Sequence, residues 1–392
     1  MPVAARVWLV AVGLALVGAC GDGGAGSGGA DTGPAADTSD VAGTTTDADG
    51  VAVSACSADD RAACLYEPEA RYEVGTIAVP GLTYTDRIGA TRTVNALVHR
   101  PKGAPTPAPV VLLSHGGSGG KTDPSKSMDV WAHHLAEAGY VAVAIAHEGR
   151  DDAAYRALCT ALGIPADQEL CGIKINWDRP HDVARVLAWL DEQVADGALA
   201  GAVDLGRLAH VGHSAGAGAA MMLAGAPRNF VCSTPFGTPD APGCDASDLV
   251  SLENPRFRAV VAMSPQGPGD DGFMAESFED IAVPMLVGTG QRDGDPGVPE
   301  NREQAYALAP PGGRYLLYVD DPGAKHTLFE GEVDACADVS GQARCERMRA
   351  WILAAGLAFL DAELRDRPEA RAWLASADVV TAADGDVRWE RK

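Results

Sequence analysis

The sequence predicts an α/β architecture, a mostly parallel central sheet of about eight strands with helices on both faces. Short apolar runs alternate with helix-like segments, the order produced when each strand leads into a crossover helix. Several runs, such as Val110-Val111-Leu112-Leu113-Ser114, are apolar without alternation, as a strand covered on both faces must be.

Taken in order, Val74–Val79 and Thr91–His99 read as opening strands joined by a turn near Asp86–Gly89. Val110–Ser114 is the first buried strand. Met128–Ala138 reads as a helix closed by Gly139, a residue suited to the left-handed position after a helix end. Val141–Ala146 is a second buried strand. Asp178–Ala195 is an amphipathic helix with Pro180 in its first turn and Gly197 beyond its end. Leu208–Gly212 is a strand, followed by a small-residue helix over Ala215–Ala224. Ala259–Met263, Pro284–Gly288 and Arg314–Val319 are further strands, and Arg344–Arg365 is a long C-terminal helix. Residues 147–177 and 226–256 break the alternation and read as excursions at the C-terminal edge of the sheet, where ligand sites of such sheets lie.

Ahead of this region the composition changes. Residues 1–20 have the pattern of an export signal. Arg6 supplies a positive end, and Val7–Ala19 is an apolar run too short to span a bilayer comfortably. The run ends Val17-Gly18-Ala19-Cys20, and small residues before a cysteine resemble a lipobox, so Cys20 is the expected lipidation site of a cell-envelope lipoprotein or secreted protein. Residues 21–55 are rich in Gly, Ala, Asp, Thr and Ser, with almost no large apolar side chain. Such a segment buries too little surface to offset its ordering entropy and reads as a tether. Residues 56–392 form the expected folded domain. Of the 392 residues 46% are hydrophobic and 22% charged, enough for a substantial core. The formal net charge of -23 disfavours phosphate backbones, so nucleic acid is not an expected partner. The membrane is expected to be met only through a lipid at Cys20.

The chain has 9 cysteines. Without Cys20 they fall into four close pairs, and in an exported protein this suggests the disulfides Cys56–Cys64, Cys159–Cys171, Cys232–Cys244 and Cys336–Cys345. Their spacings do not suit zinc, and no metal or cofactor is expected.

Gly212-His213-Ser214-Ala215-Gly216 is a G-x-S-x-G pentapeptide between a buried strand and a small-residue helix. A serine there sits on a strained turn with its hydroxyl projecting, and flanking glycines leave room for the backbone to cross itself. Serine needs a base to become a nucleophile. Only one histidine follows Ser214, namely His326 in Gly323-Ala324-Lys325-His326. An acid must orient that imidazole. Asp293 closes the run after the penultimate predicted strand and is the expected acid, with Asp295, Asp270 and Asp271 as alternatives. Donors for a developing oxyanion are expected from the backbone N–H of Ala215 and, in the glycine-rich Ser114-His115-Gly116-Gly117-Ser118-Gly119-Gly120, from Gly117, with Ser118 as alternative.

These motifs together resemble the α/β-hydrolase superfamily over residues 72–365. Arg179-Pro180-His181-Asp182-Val183, opening a helix ahead of the nucleophile strand, is similar to the platelet-activating-factor acetylhydrolase and dienelactone-hydrolase-like group, which neighbours cutinase-like polyester hydrolases. The chain departs from true dienelactone hydrolases in carrying serine where they carry cysteine. The resemblance implies a serine esterase acting on a small-molecule or polymeric ester through an acyl-enzyme. The alternatives are a non-catalytic, surface-displayed binding module of the same fold, and a thioesterase, lactonase or peptidase using the same residues. Arg179 and Asp182 read as helix-start chemistry and a local salt bridge. His115, His147, His213, Ser118 and Gln266 are candidate pocket residues, with His213 packing beside the sheet. Trp131, Trp189 and Trp351 read as core.

Overall fold

The computed structural model describes residues 56–85, 91–117, 123–147, 179–229 and 249–392. The signal and tether segments, Cys20, Ser118, the Asp86–Gly89 turn and the cysteines at 159, 171, 232 and 244 lie outside the described residues.

One mixed sheet organises the molecule. Its strands are β1 (Glu73–Thr85), β2 (Thr91–Lys102), β3 (Ala108–Ser114), β4 (Val141–Ala146), β5 (Val203–His213), β6 (Phe257–Met263), β7 (Met285–Gly290), β8 (Arg314–Val319) and β9 (Val387–Arg391). Their spatial order is β1-β2-β4-β3-β5-β6-β7-β8-β9. The β4-β3-β5-β6-β7-β8 stretch is parallel, while β1, β2 and β9 run antiparallel to their neighbours. Every residue of β3, β4 and β7 is buried, as their unbroken apolar runs require. β2 alternates between buried and partly exposed positions over Arg92–Val98, the pattern of a strand near a sheet edge.

The described sheet therefore has nine strands where about eight were expected. The addition is β9. Its sequence, Val387-Arg388-Trp389-Glu390-Arg391, carries too little apolar signal, and its pairing with β8 from Tyr315↔Arg391 to Val319↔Val387 makes it a strand.

Eight α-helices are described: α1 (Asp129–Glu137), α2 (Arg179–Asp196), α3 (Ala215–Leu223), α4 (Val298–Leu308), α5 (Asp334–Ser340), α6 (Gln342–Leu364), α7 (Pro368–Ala375) and α8 (Asp378–Ala382). They divide between the two sheet faces by the period of two along the strands. Val111 and Leu113 pack in the layer of α1 and α6, with Trp131 and Trp351. Val110 and Leu112 pack in the opposite layer against α2, with Trp189. α3 and α4 extend that second layer over Val260, Ala262 and Val287. At Gly356 of α6 an added Cβ would lie 2.5 Å from the Trp131 ring, so the glycine sets how closely α6 meets α1. Among the described residues no helix is long and apolar enough to cross a membrane. The disulfides Cys56–Cys64 and Cys336–Cys345 are formed.

Candidate active site

β5 ends at His213 and α3 begins at Ala215, leaving Ser214 alone in the turn. Its backbone has φ 52° and ψ -116°, a conformation that costs a non-glycine residue energy and turns the side chain out of the strand path. The amide of Ser214 donates to Met263 O at 2.8 Å, and Ser214 O accepts from Gly218 N at 3.0 Å. The flanking glycines are steric necessities. A Cβ on Gly212 would lie 2.0 Å from Gly216 O, and one on Gly216 would lie 1.9 Å from Ser114 O. Ala215 opens α3, so its N–H is among those a helix leaves without an intrahelical acceptor.

His326 follows β8 and opens a short 3-10 turn, His326–Glu330. Asp293 follows β7 and is fully buried. The two loops are joined by Arg292 N donating to Ala324 O at 3.2 Å. Gly290 permits the approach, since a Cβ there would meet Ala324 Cβ at 2.7 Å. His326 Nδ1 lies 2.6 Å from Asp293 Oδ1, and Thr289 Oγ1 donates to Asp293 Oδ2 at 2.8 Å. Burial opposes ionisation of Asp293, but the His326 hydrogen bond and the Arg302 charge outweigh it and hold its carboxyl below the usual range. An ionised carboxylate only accepts, so Nδ1 of His326 carries the proton and Nε2 is free of one. Burial, then the nearby His213, lowers the His326 pKa against the opposing pull of Asp293.

His213, beside Ser214 in the chain, couples the two segments. Its ring centroid is 4.5 Å from that of His326, and its Nε2 donates to His326 O at 2.9 Å. On its other side Nδ1 is 3.1 Å from Glu330. Glu330 also accepts from Gly116 N at 3.3 Å, tying the glycine loop after β3 to the histidine segment. The structure thus places Ser214, His326, Asp293 and the Gly116–Gly117 loop at the C-terminal ends of the parallel strands β5, β8, β7 and β3. Of the alternative acids, Asp270 accepts from Asn301 Nδ2 at 3.1 Å, and Asp271 lies 3.8 Å from Arg228. Asp293 is the one bonded to His326.

Gly117 is exposed, and a Cβ there would meet nothing within 4 Å. His115 and His147, candidate pocket residues, are buried and belong to a polar chain beneath the loop. His147 Nδ1 donates to Asp182 at 2.8 Å, leaving Nε2 to accept from Ser114 Oγ at 2.7 Å. Ser114 Oγ in turn lies 2.9 Å from His210 Nε2. Burial, with Arg179 adding to it, pushes the His147 pKa down to about 4. Burial likewise pushes His210 to about 3. Asp182 opposes its burial with hydrogen bonds from Arg92 and His147 and falls to about 2. Its partner Arg92 lies on β2, with contacts at 2.6 and 2.7 Å, so the local salt bridge with Arg179 is replaced by one across the fold. Gln266 is nearly buried over Gly218 of α3.

Arg302 and Glu330 were not evident from sequence. Arg302, on α4, donates through Nη1 to Ser264 O at 2.6 Å and Pro265 O at 2.7 Å, and through Nε to Asp293 O at 3.0 Å. It thereby fastens the turn after β6 to the acid-bearing turn. Nothing in its local pattern distinguishes it from a solvated helix arginine. No group of three or more metal-ligating side chains occurs among the described residues.

The class of architecture so defined is an α/β fold whose polar cluster gathers at the C-terminal strand edge around a strained serine turn. No protein-family model and no curated protein matches the sequence. Among solved structures the fold is similar to a ferulic acid esterase from Streptomyces cinnamoneus, with TM-score 0.51 and 18% identity over 83% of this chain and 98% of that one.

Proposed function

We propose that the protein is a carboxylic-ester hydrolase working through an acyl-enzyme. The observation that carries this reading is the His326 Nδ1–Asp293 hydrogen bond of 2.6 Å beside the strained Ser214 turn. In this mechanism Nε2 of His326 takes the Ser214 hydroxyl proton as Oγ attacks the ester carbonyl. Asp293 stabilises the resulting imidazolium. The N–H groups of Ala215 and Gly117 receive the oxyanion. His326 then protonates the departing alcohol, the acyl group stays on Ser214, and water repeats the sequence to release the acid. The esterase fold neighbour supports the ester class and suggests methyl ferulate as a substrate beside p-nitrophenyl acetate. The wild type is expected to turn over at least one of these, and Ser214→Ala to lose turnover while keeping its melting temperature. Turnover retained by Ser214→Ala refutes the assignment. The two disulfides support an oxidising compartment, and with the leader they support lipidation at Cys20. Incorporation of radiolabelled palmitate that persists in Cys20→Ala refutes that anchor.

A further inference from the structure

Arg179 is 3% exposed. Its guanidinium is directed at consecutive carbonyls of the loop after β3. Nη1 donates to His115 O and Nη2 donates to Gly116 O at 2.9 Å. Gly116 O has a second partner. The backbone N–H of His147 donates to His115 Nε2 at 3.1 Å, so Nε2 carries no proton. The proton of the His115 ring is therefore on Nδ1, which donates to Gly116 O at 2.6 Å. A planar trans peptide has its N–H opposed to its C=O. Fastening Gly116 O on the interior side therefore turns the Gly117 N–H outward, on an exposed residue with open space beside it. A cation on the carbonyl oxygen also polarises the amide and strengthens its N–H as a donor.

We infer that Arg179 is a positioning residue for the oxyanion site, fixing the direction and donor strength of the Gly117 amide through the Gly116 carbonyl, with His115 as its neutral partner. The inference rests on the esterase reading and on Gly117 as the second donor. It explains why a guanidinium is buried against main-chain carbonyls. Burial lowers its pKa only to about 10, so it stays charged at neutral pH. A lysine does not reproduce this planar fork, because its donors are carried on one compact ammonium at the end of a flexible stem.

The test compares wild type, Arg179→Lys and Arg179→Met in ester turnover and in inhibition by a trifluoromethyl ketone, whose hemiketal oxyanion occupies the same site. Loss of a whole oxyanion donor costs about 100–1,000-fold in kcat, so misdirecting one is expected to cost roughly 10–100-fold in Arg179→Met. KM should stay within about threefold, because the interaction forms in the transition state. Ketone affinity should fall in parallel with kcat, Arg179→Lys should lie between the two, and the acid limb of the pH profile should not move. An Arg179→Met enzyme with kcat within about threefold of wild type overturns the inference. So does a loss shared equally by KM and the acid limb, which marks general damage to the site. Should that variant fail to fold, a structure of the wild type phosphonylated at Ser214 decides. A phosphonyl oxygen on Gly117 N–H with Arg179 on Gly116 O supports the inference, and an oxygen turned away from Gly117 overturns it. Active wild type with Arg179-insensitive turnover sinks this inference alone, whereas wild type inert to both ester and phosphonate sinks the esterase reading with it.

Discussion

The change Asp182→Asn isolates the polar chain beneath the glycine loop. It keeps the side-chain shape and removes one charge and half of the accepting capacity. Four donors converge on this carboxylate. Oδ1 accepts from Arg92 Nε at 2.6 Å and Tyr84 Oη at 2.8 Å, and Oδ2 accepts from Arg92 Nη2 at 2.7 Å, with His147 Nδ1 at 2.8 Å. An amide presents one oxygen, so two donors would face an NH₂ group. Arg92, buried at 4% exposure, would also lose the negative charge of Asp182. Breaking one partner of a buried ion pair costs about 3–5 kcal/mol, and each stranded donor about 1–3 kcal/mol, the two ranges describing the same loss. We expect about 3–5 kcal/mol, read by urea denaturation. At about 2 °C per kcal/mol for a large domain this is a drop in melting temperature of roughly 6–10 °C. A drop below about 1 kcal/mol would mean that water or local rearrangement satisfies the stranded groups, refuting the argument.

Three further outcomes follow from the same geometry. The His326 pKa is lowered, and the general base acts in its neutral form, so the acid limb of kcat/KM should fall below the usual histidine value of about 6.5; a limb above it contradicts the assignment. His99, His134, His147 and His210 are pushed by burial to about 4, 4, 4 and 3, so the unfolded chain binds more protons than the folded one below about 6.5. Stability measured by urea denaturation should be full above pH 6.5 and fall toward pH 4, by about 1.4 kcal/mol per unit for each titrating group; a flat profile would show that these rings charge freely in the folded state. Finally, Gly117→Ala should keep its melting temperature and lose kcat, since a methyl there meets only open space where substrate is proposed to lie, whereas Gly216→Ala should fail to fold, its Cβ falling 1.9 Å from Ser114 O. Equal behaviour of the two variants in thermal melts and ester turnover would contradict the placement of the glycine loop.

Much of this was legible in the sequence because its cause is local. β4 and β8 coincide with the expected Val141–Ala146 and Arg314–Val319, since both are short runs of mainly β-branched, aromatic or apolar residues bounded by turn-forming ones. The pentapeptide announced its turn because no side chain larger than hydrogen fits at Gly212 or Gly216. The His326–Asp293 contact followed from the order of residues along the chain. What stayed hidden depends on distant partners. β9 exists by pairing with β8. α4 carries a mixed, polar sequence, yet it buries Ala305 and Tyr306. The roles of Arg179, Arg302 and Glu330 arise from carbonyls and rings brought up by other elements, and no spacing rule marks them. Asp182 reads in sequence as half of a local pair because sequence neighbours are visible and a strand 90 residues away is not.

The most direct test of the central claim is peptide mapping by mass spectrometry after treatment with a fluorophosphonate. One adduct is expected, on Ser214, formed rapidly in the wild type and slowed strongly by His326→Ala or Asp293→Ala. A wild-type protein that takes no label, or takes it on another serine, rules out Ser214 as the nucleophile.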